Sequence, residues 1–69
     1  MADSYYVNNT AQPNGDHEVH KAGCYWLNQA RDTTYLGEFS HCRDAVAAAK
    51  RRHRQSNGCA TCAYECHTG

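Results

Sequence analysis

The sequence is short of large apolar side chains. Among 69 residues there are one phenylalanine, one tryptophan, one methionine and no isoleucine. Val7, Val19, Leu27, Leu36, Phe39, Val46, Trp26 and the tyrosines are nearly the whole supply, and much of the remaining apolar fraction is alanine. Ordering a chain costs about 1.5 kcal/mol per residue, so one this small is poorly served by core packing alone. It needs a disulfide, a metal or a partner chain. No apolar run is long enough to cross a membrane. The start, Met1-Ala2-Asp3-Ser4-Tyr5, has neither the basic region nor the apolar stretch of a secretory leader. Net charge is also lacking, with seven basic and seven acidic side chains, which excludes a strong whole-molecule field towards nucleic acid. These absences lead to the expectation of one small cytoplasmic domain over residues 1–69, without membrane contact and with reduced thiols.

Cysteine and histidine, by contrast, are abundant, at five each. An odd cysteine count in a reducing compartment favours metal ligation over a disulfide scaffold. Cys59-x-x-Cys62 is half of the commonest structural zinc arrangement: two thiolates three apart can face one ion while backbone N–H groups of the turn bond to the sulfurs. Zinc takes four tetrahedral N or S ligands. His20-x-x-x-Cys24 is the best candidate for the other half, and the metal reading is Zn2+ on His20, Cys24, Cys59 and Cys62. Structural zinc contributes on the order of 10 kcal/mol, against about 5 kcal/mol from a core this small. Alternatives stay open. Strand alternation puts His17, not His20, on the side of Val19, and Cys42, Cys66 or His67 could supply the fourth ligand. Cys42 and Cys66 can be buried free thiols, a bonded pair or further ligands.

The elements follow from pattern. Tyr5–Asn8 reads as a strand whose edge could pair with a protein partner. The turn chemistry around Pro13 and Asn14-Gly15 returns the chain into a second strand from His17 to His20. Asn28–Asp32 reads as a polar loop, and Thr33–Phe39 as the clearest strand, with Gly37 marking a bulge or a close backbone approach. Ser40 caps the one convincing helix, whose apolar stripe is Ala45, Val46 and Ala49. That helix is expected to run to about Gln55 and stop on a left-handed cap at Asn57-Gly58. The fold class is α+β: a two- to three-stranded antiparallel sheet, one helix and a C-terminal C-x-x-C knuckle.

Charge is uneven along the chain. Residues 42–69 carry five basic and two acidic side chains, and Lys50, Arg51, Arg52 and Arg54 lie together. They are the candidate nucleic-acid contacts, with Tyr25 and Trp26 as stacking residues. A solvated helix end that complements the dipole is the plainer reading of the same charges. No H-x-E or H-E-x-x-H spacing occurs and the chain is too short for a deep pocket, so neither catalysis nor a small-molecule substrate is expected. A thiol redox or protein-interaction module stabilised by a Cys42–Cys66 pair is the alternative function.

The order of parts resembles the zinc domain of the bacterial Ada DNA-repair protein: His20-x-x-x-Cys24, the strand Tyr35-Leu36-Gly37-Glu38-Phe39, Ser40, an alanine-rich helix, then Gly58-Cys59-x-x-Cys62. The resemblance covers roughly residues 17–62, about two thirds of the chain. It implies the same four ligands. It does not carry the methyl-transfer activity, because the methyl-accepting cysteine of that family is replaced by His20, and an imidazole on zinc has no nucleophilic sulfur. Relatives with a histidine first ligand look like plain binding modules. The Asn14-Gly15-Asp16-His17-Glu18-Val19-His20 start and the Gly-Cys-x-x-Cys-x-x-x-Cys-His end are also similar to small uncharacterised bacterial proteins.

Overall fold

The structure, a computed structural model, describes residues 2–68. The strand formers Tyr5, Tyr6 and Val7 form strand β1 (Asp3–Asn8), in which the buried Tyr5 and Val7 alternate with the less buried Ser4, Tyr6 and Asn8. The reversal around Gly15 delivers β2 (His17–Lys21), antiparallel to β1 with Tyr6 opposite His20 and Val7 opposite Val19. Strand β3 (Thr33–Phe39) pairs with the other side of β1. Its register slips between Tyr5 and Tyr6, which face Gly37 and Tyr35, so Leu36 is the extra residue of a bulge. Gly37 has φ +121° there, a conformation that side-chain-bearing residues rarely adopt.

Helix α2 (Cys42–Lys50) crosses the sheet and leads to β4 (Ser56–Gly58), which adds in parallel to β2. The sheet order is β3-β1-β2-β4, four strands and mixed. The α+β class is as expected, but the sheet is larger than two or three antiparallel strands. β1 lies inside the sheet with both sides paired, so it offers no edge to a partner chain. On one face Tyr5, Val7 and Val19 pack against Cys42, Ala45, Val46 and Ala49 of α2, with Ala63, Leu36 and Phe39 around them. The small residues of the helix stripe let its backbone approach the sheet closely.

Two further expectations about the helix change. Its N-cap is His41, whose ring Nδ1 accepts the Arg43 N–H at 3.0 Å, rather than Ser40. It also ends at Lys50, not near Gln55. Asn57-Gly58 is unavailable as a cap because its backbone belongs to the ladder with Glu18 and Val19. The side chain of Asn57, 6 % exposed, donates to Asp16 Oδ2 (3.2 Å) and to the Thr68 carbonyl (2.7 Å), and its Oδ1 accepts the Thr68 N–H (2.9 Å). Gly58 is needed for a different reason: a Cβ there would lie 2.8 Å from the Ala63 carbonyl oxygen and 2.8 Å from Cys66 Cβ. His53, beyond the helix, stacks on His17 with ring centroids 3.8 Å apart.

A short helix α1 (Tyr25–Gln29) occupies the start of the stretch read as a polar loop. A 3-10 turn (Tyr64–Cys66) follows the C-terminal knuckle. Cys42 and Cys66 are joined in a disulfide, with Cα atoms 6.2 Å apart. Among the described residues, no helix is long and apolar enough to cross a membrane.

Candidate metal centre

Val19 and His20 are adjacent in β2, so they point to opposite faces of the sheet. Both are nevertheless fully buried. Val19 lies under α2, while His20 lies under a cover made by Cys24 and the knuckle. The turn Lys21–Cys24, closed by the Cys24 N–H donating to the Lys21 carbonyl at 3.1 Å, brings Cys24 beside His20. Cys24 is also the N-cap residue of α1. Cys59 leaves β4 with its N–H donating to the Val19 carbonyl at 2.9 Å, so the parallel ladder itself delivers the knuckle to the end of β2.

One ligand atom from each of His20, Cys24, Cys59 and Cys62 lies within 4.8 Å of the others. His20 Nδ1 is 3.8 Å from Cys24 Sγ and 3.9 Å from Cys62 Sγ, and Cys24 Sγ is 4.0 Å from Cys59 Sγ. Zinc–sulfur bonds of about 2.3 Å and zinc–nitrogen bonds of about 2.0–2.1 Å give a tetrahedron with edges of about 3.6–3.8 Å. The side chains therefore fit a zinc-sized ion after closing by a few tenths of an ångström along the measured edges. Backbone N–H groups face the sulfurs: Thr61 donates to Cys59 Sγ (3.4 Å), Lys21 to Cys62 Sγ (3.2 Å), and Leu27 and Trp26 to Cys24. Such donors stabilise thiolates.

The electrostatics are those of crowded, buried thiols beside an imidazole. Burial pushes the Cys62 thiol up to about 12, and the neighbouring thiols of Cys24 and Cys59 add to it against the opposing Lys21 N–H. Burial also works against ionisation of Cys24, but hydrogen bonds from Cys62, Leu27, Trp26 and Cys59 outweigh it and hold that thiol below its ordinary value. Three thiolates cannot share so small a space without positive charge between them. Burial lowers the pKa of His20 against the pull of Glu18, keeping the imidazole neutral as ligation requires. Its Nε2 is buried without a hydrogen-bond partner, and Glu18 Oε1 stands 3.6 Å away. Metal-ligating histidines commonly turn their second nitrogen to a carboxylate in this way.

Compared with protein-family models, curated proteins and solved structures, the chain matches none of them.

The other residues weighed as ligands are engaged elsewhere. His17 donates its Nδ1–H to the Asn8 carbonyl (3.0 Å) and stacks on His53. His67 Nδ1 likewise faces the Gly58 carbonyl at 3.0 Å. Cys42 and Cys66 are bonded to each other. Glu18 was overlooked as a partner of His20, although residues two apart on a strand share a face. Lys50, Arg51, Arg52 and Arg54 are all exposed, and no carboxylate pairs with them among the described residues. Only Lys50 belongs to α2, so they do not line its last turns as expected. Tyr25 and Trp26 are 63 % and 50 % exposed, packed edge to face, and Trp26 Nε1 donates to Thr61 Oγ1 at 3.2 Å.

Proposed function

We propose that the protein is a non-catalytic binding module organised by a structural zinc ion on His20 Nδ1 and the Sγ atoms of Cys24, Cys59 and Cys62. The observation that carries this reading is the convergence of four ligand atoms from two chain segments within 4.8 Å, three of the four residues being buried. Four protein ligands complete a tetrahedron and leave no position for a reacting water, which supports a structural role. The likeness in layout to the Ada zinc domain supports it as well, with His20 in place of the methyl-accepting cysteine. Cys24, Cys59 and Cys62 are free thiols, available to the metal, whereas Cys42 and Cys66 are bonded and depart from the expectation of reduced thiols throughout.

Nucleic acid is the ligand class we favour, through Lys50, Arg51, Arg52 and Arg54. Their exposure and their lack of carboxylate partners among the described residues support this choice. A second reading, a thiol redox module, is favoured by the Cys42–Cys66 bond.

The test of the zinc reading is metal analysis followed by chelation. The protein is expected to carry about one zinc per chain, and a strong chelator is expected to remove both the metal and the near-UV circular dichroism of the fold. Cys59→Ser is expected to lose both at ordinary zinc concentrations. A fold that persists unchanged after complete zinc removal would overturn the proposal.

A further inference from the structure

Outside the centre just described, a second group of ligand-type side chains converges. His41, Cys42 and Cys66 each place one ligand atom within 4.8 Å of the others. His41 is fixed by its capping role: Nδ1 accepts the Arg43 N–H at 3.0 Å and lies 3.8 Å from Cys42 Sγ. Its Nε2 lies 3.9 Å from Glu65 Oε2. The layout repeats that of the first centre, where His20 turns Nδ1 to Cys24 Sγ at 3.8 Å and Nε2 to Glu18 Oε1 at 3.6 Å. In both, one ring nitrogen faces sulfur and the other faces a glutamate carboxylate beyond hydrogen-bond distance, the pairing that orients a metal-ligating histidine once it closes.

We propose that reduction of the Cys42–Cys66 disulfide opens a second, redox-gated site for a thiophilic divalent cation such as zinc. Its ligands are the Sγ atoms of Cys42 and Cys66 and Nδ1 of His41, with solvent in the fourth position. The site shares no ligand with the first centre.

The two sulfurs can reach one ion by side-chain rotation. Two thiolates on one zinc ion sit about 3.8 Å apart, a spacing that side-chain rotation gives from Cα atoms 6.2 Å apart. The bond is also reachable. A cavity of about 340 Å³ opens on Cys42 and another of about 380 Å³ on Cys66, with His41 and Glu65 lining both. The second also presents Arg43 and Lys50, which favour an approaching thiolate. Cys66 is the more exposed of the two cysteines.

The chemistry balances with a dithiol reductant. Its thiolate attacks Cys66 Sγ, the S–S bond breaks, and Cys42 leaves as a thiolate at the first position of α2, where the helix N-terminus stabilises it. The reductant's second thiol then displaces Cys66, and the reductant departs as its own disulfide. Two electrons have passed to the protein, which now holds two cysteine thiols. On binding, the dication displaces two protons from these thiols to solvent, and it replaces the Arg43 N–H at His41 Nδ1.

Cobalt(II) titration of the full chain, followed by its thiolate charge-transfer absorption, tests the proposal. One sample is kept oxidised; the other is reduced with a phosphine, desalted and handled without oxygen. Phosphine reduction consumes one water and gives two thiols and a phosphine oxide. The oxidised protein is expected to take up about one equivalent and the reduced protein about two, each of tetrahedral, thiolate-rich type. The Cys42→Ser/Cys66→Ser variant is expected to take up about one equivalent in both conditions, its first-centre spectrum showing that the fold is intact. His41→Ala is expected to weaken only the second equivalent, by 10-fold or more, and Glu65→Gln to weaken it about 10-fold.

Equal uptake by oxidised and reduced wild type overturns the gating, and a second equivalent that survives in the double variant overturns the site. If the oxidised protein takes up none and the reduced protein about one, lost in Cys42→Ser, the second site stands and the reading of the first centre fails.

Discussion

At the scale of single residues, Gly58 and His20 hold the design together. Gly58→Ala puts a methyl 2.8 Å from the Ala63 carbonyl oxygen and from Cys66 Cβ, so the knuckle must shift away from β4. Such overpacking costs about 1–3 kcal/mol, and zinc-saturated urea denaturation is expected to report a loss in that range. On one face of β2, Glu18 Oε1 stands 3.6 Å from His20 Nε2. His53 makes a prediction about pH. Burial holds its pKa below 6.5, and the His17 ring and Arg52 act in the same direction. A base with a folded-state pKa below its unfolded value binds fewer protons when folded. Its contribution is therefore present above about pH 6.5 and is lost as pH falls through the folded value. His53→Asn is expected to narrow the stability difference between pH 7.5 and pH 5.5, measured by urea denaturation with zinc saturating; an unchanged difference would count against the stacked pair.

At the scale of elements, α2 and its exit carry the basic residues. If they engage phosphates, binding of a fluorescent oligonucleotide falls steeply between low and moderate salt, with log K losing about 0.9 per phosphate contact for duplex DNA. Replacing Lys50, Arg51, Arg52 and Arg54 by alanine together is expected to remove most of that salt slope. Fluorescence anisotropy showing no binding at low salt would remove nucleic acid as the ligand. The elements also show how far sequence patterning reaches. β1 and β3 were legible from their strand-forming residues (Tyr5, Tyr6 and Val7; Thr33, Thr34, Tyr35 and Phe39), β2 from the turn chemistry before it, and Gly37 marked a bulge. β4 was not: Ser56-Asn57-Gly58 is too short to have a period, and Asn-Gly signals a turn wherever the ladder does not claim its backbone. The helix end was misplaced for the same reason. Spacing nominated the four proposed ligands but left His17, Cys42, Cys66 and His67 open for one position; the structure brings His20, Cys24, Cys59 and Cys62 together. The Cys42–Cys66 bond could not, because two cysteines 24 residues apart give no local signal.

At the scale of the whole molecule, the proposed zinc centre and the disulfide are staples at opposite faces of the sheet's end, and both grip the segment after β4. Closing a loop of this size by a disulfide contributes about 3 kcal/mol, much less than zinc on the order of 10 kcal/mol. The two should therefore be unequal. Cys42→Ser/Cys66→Ser is expected to lower stability by about 3 kcal/mol while remaining folded with zinc, as measured by chemical denaturation. Chelation of the wild type is expected to unfold it even with the disulfide intact.

The parallel ladder between β2 and β4 also has a consequence for how the chain is made. Val19 receives its last partner from Cys59, about forty positions further along. A nascent chain emerging from the ribosome can form the β1–β2 hairpin, add β3 and lay α2 over Val19, but His20 stays uncovered until residue 62 is outside the exit tunnel. Completion of the fold and assembly of the proposed metal centre are thus one late event, and a chain released after Ser56 is expected to be a proteolysis substrate rather than a smaller version of the domain.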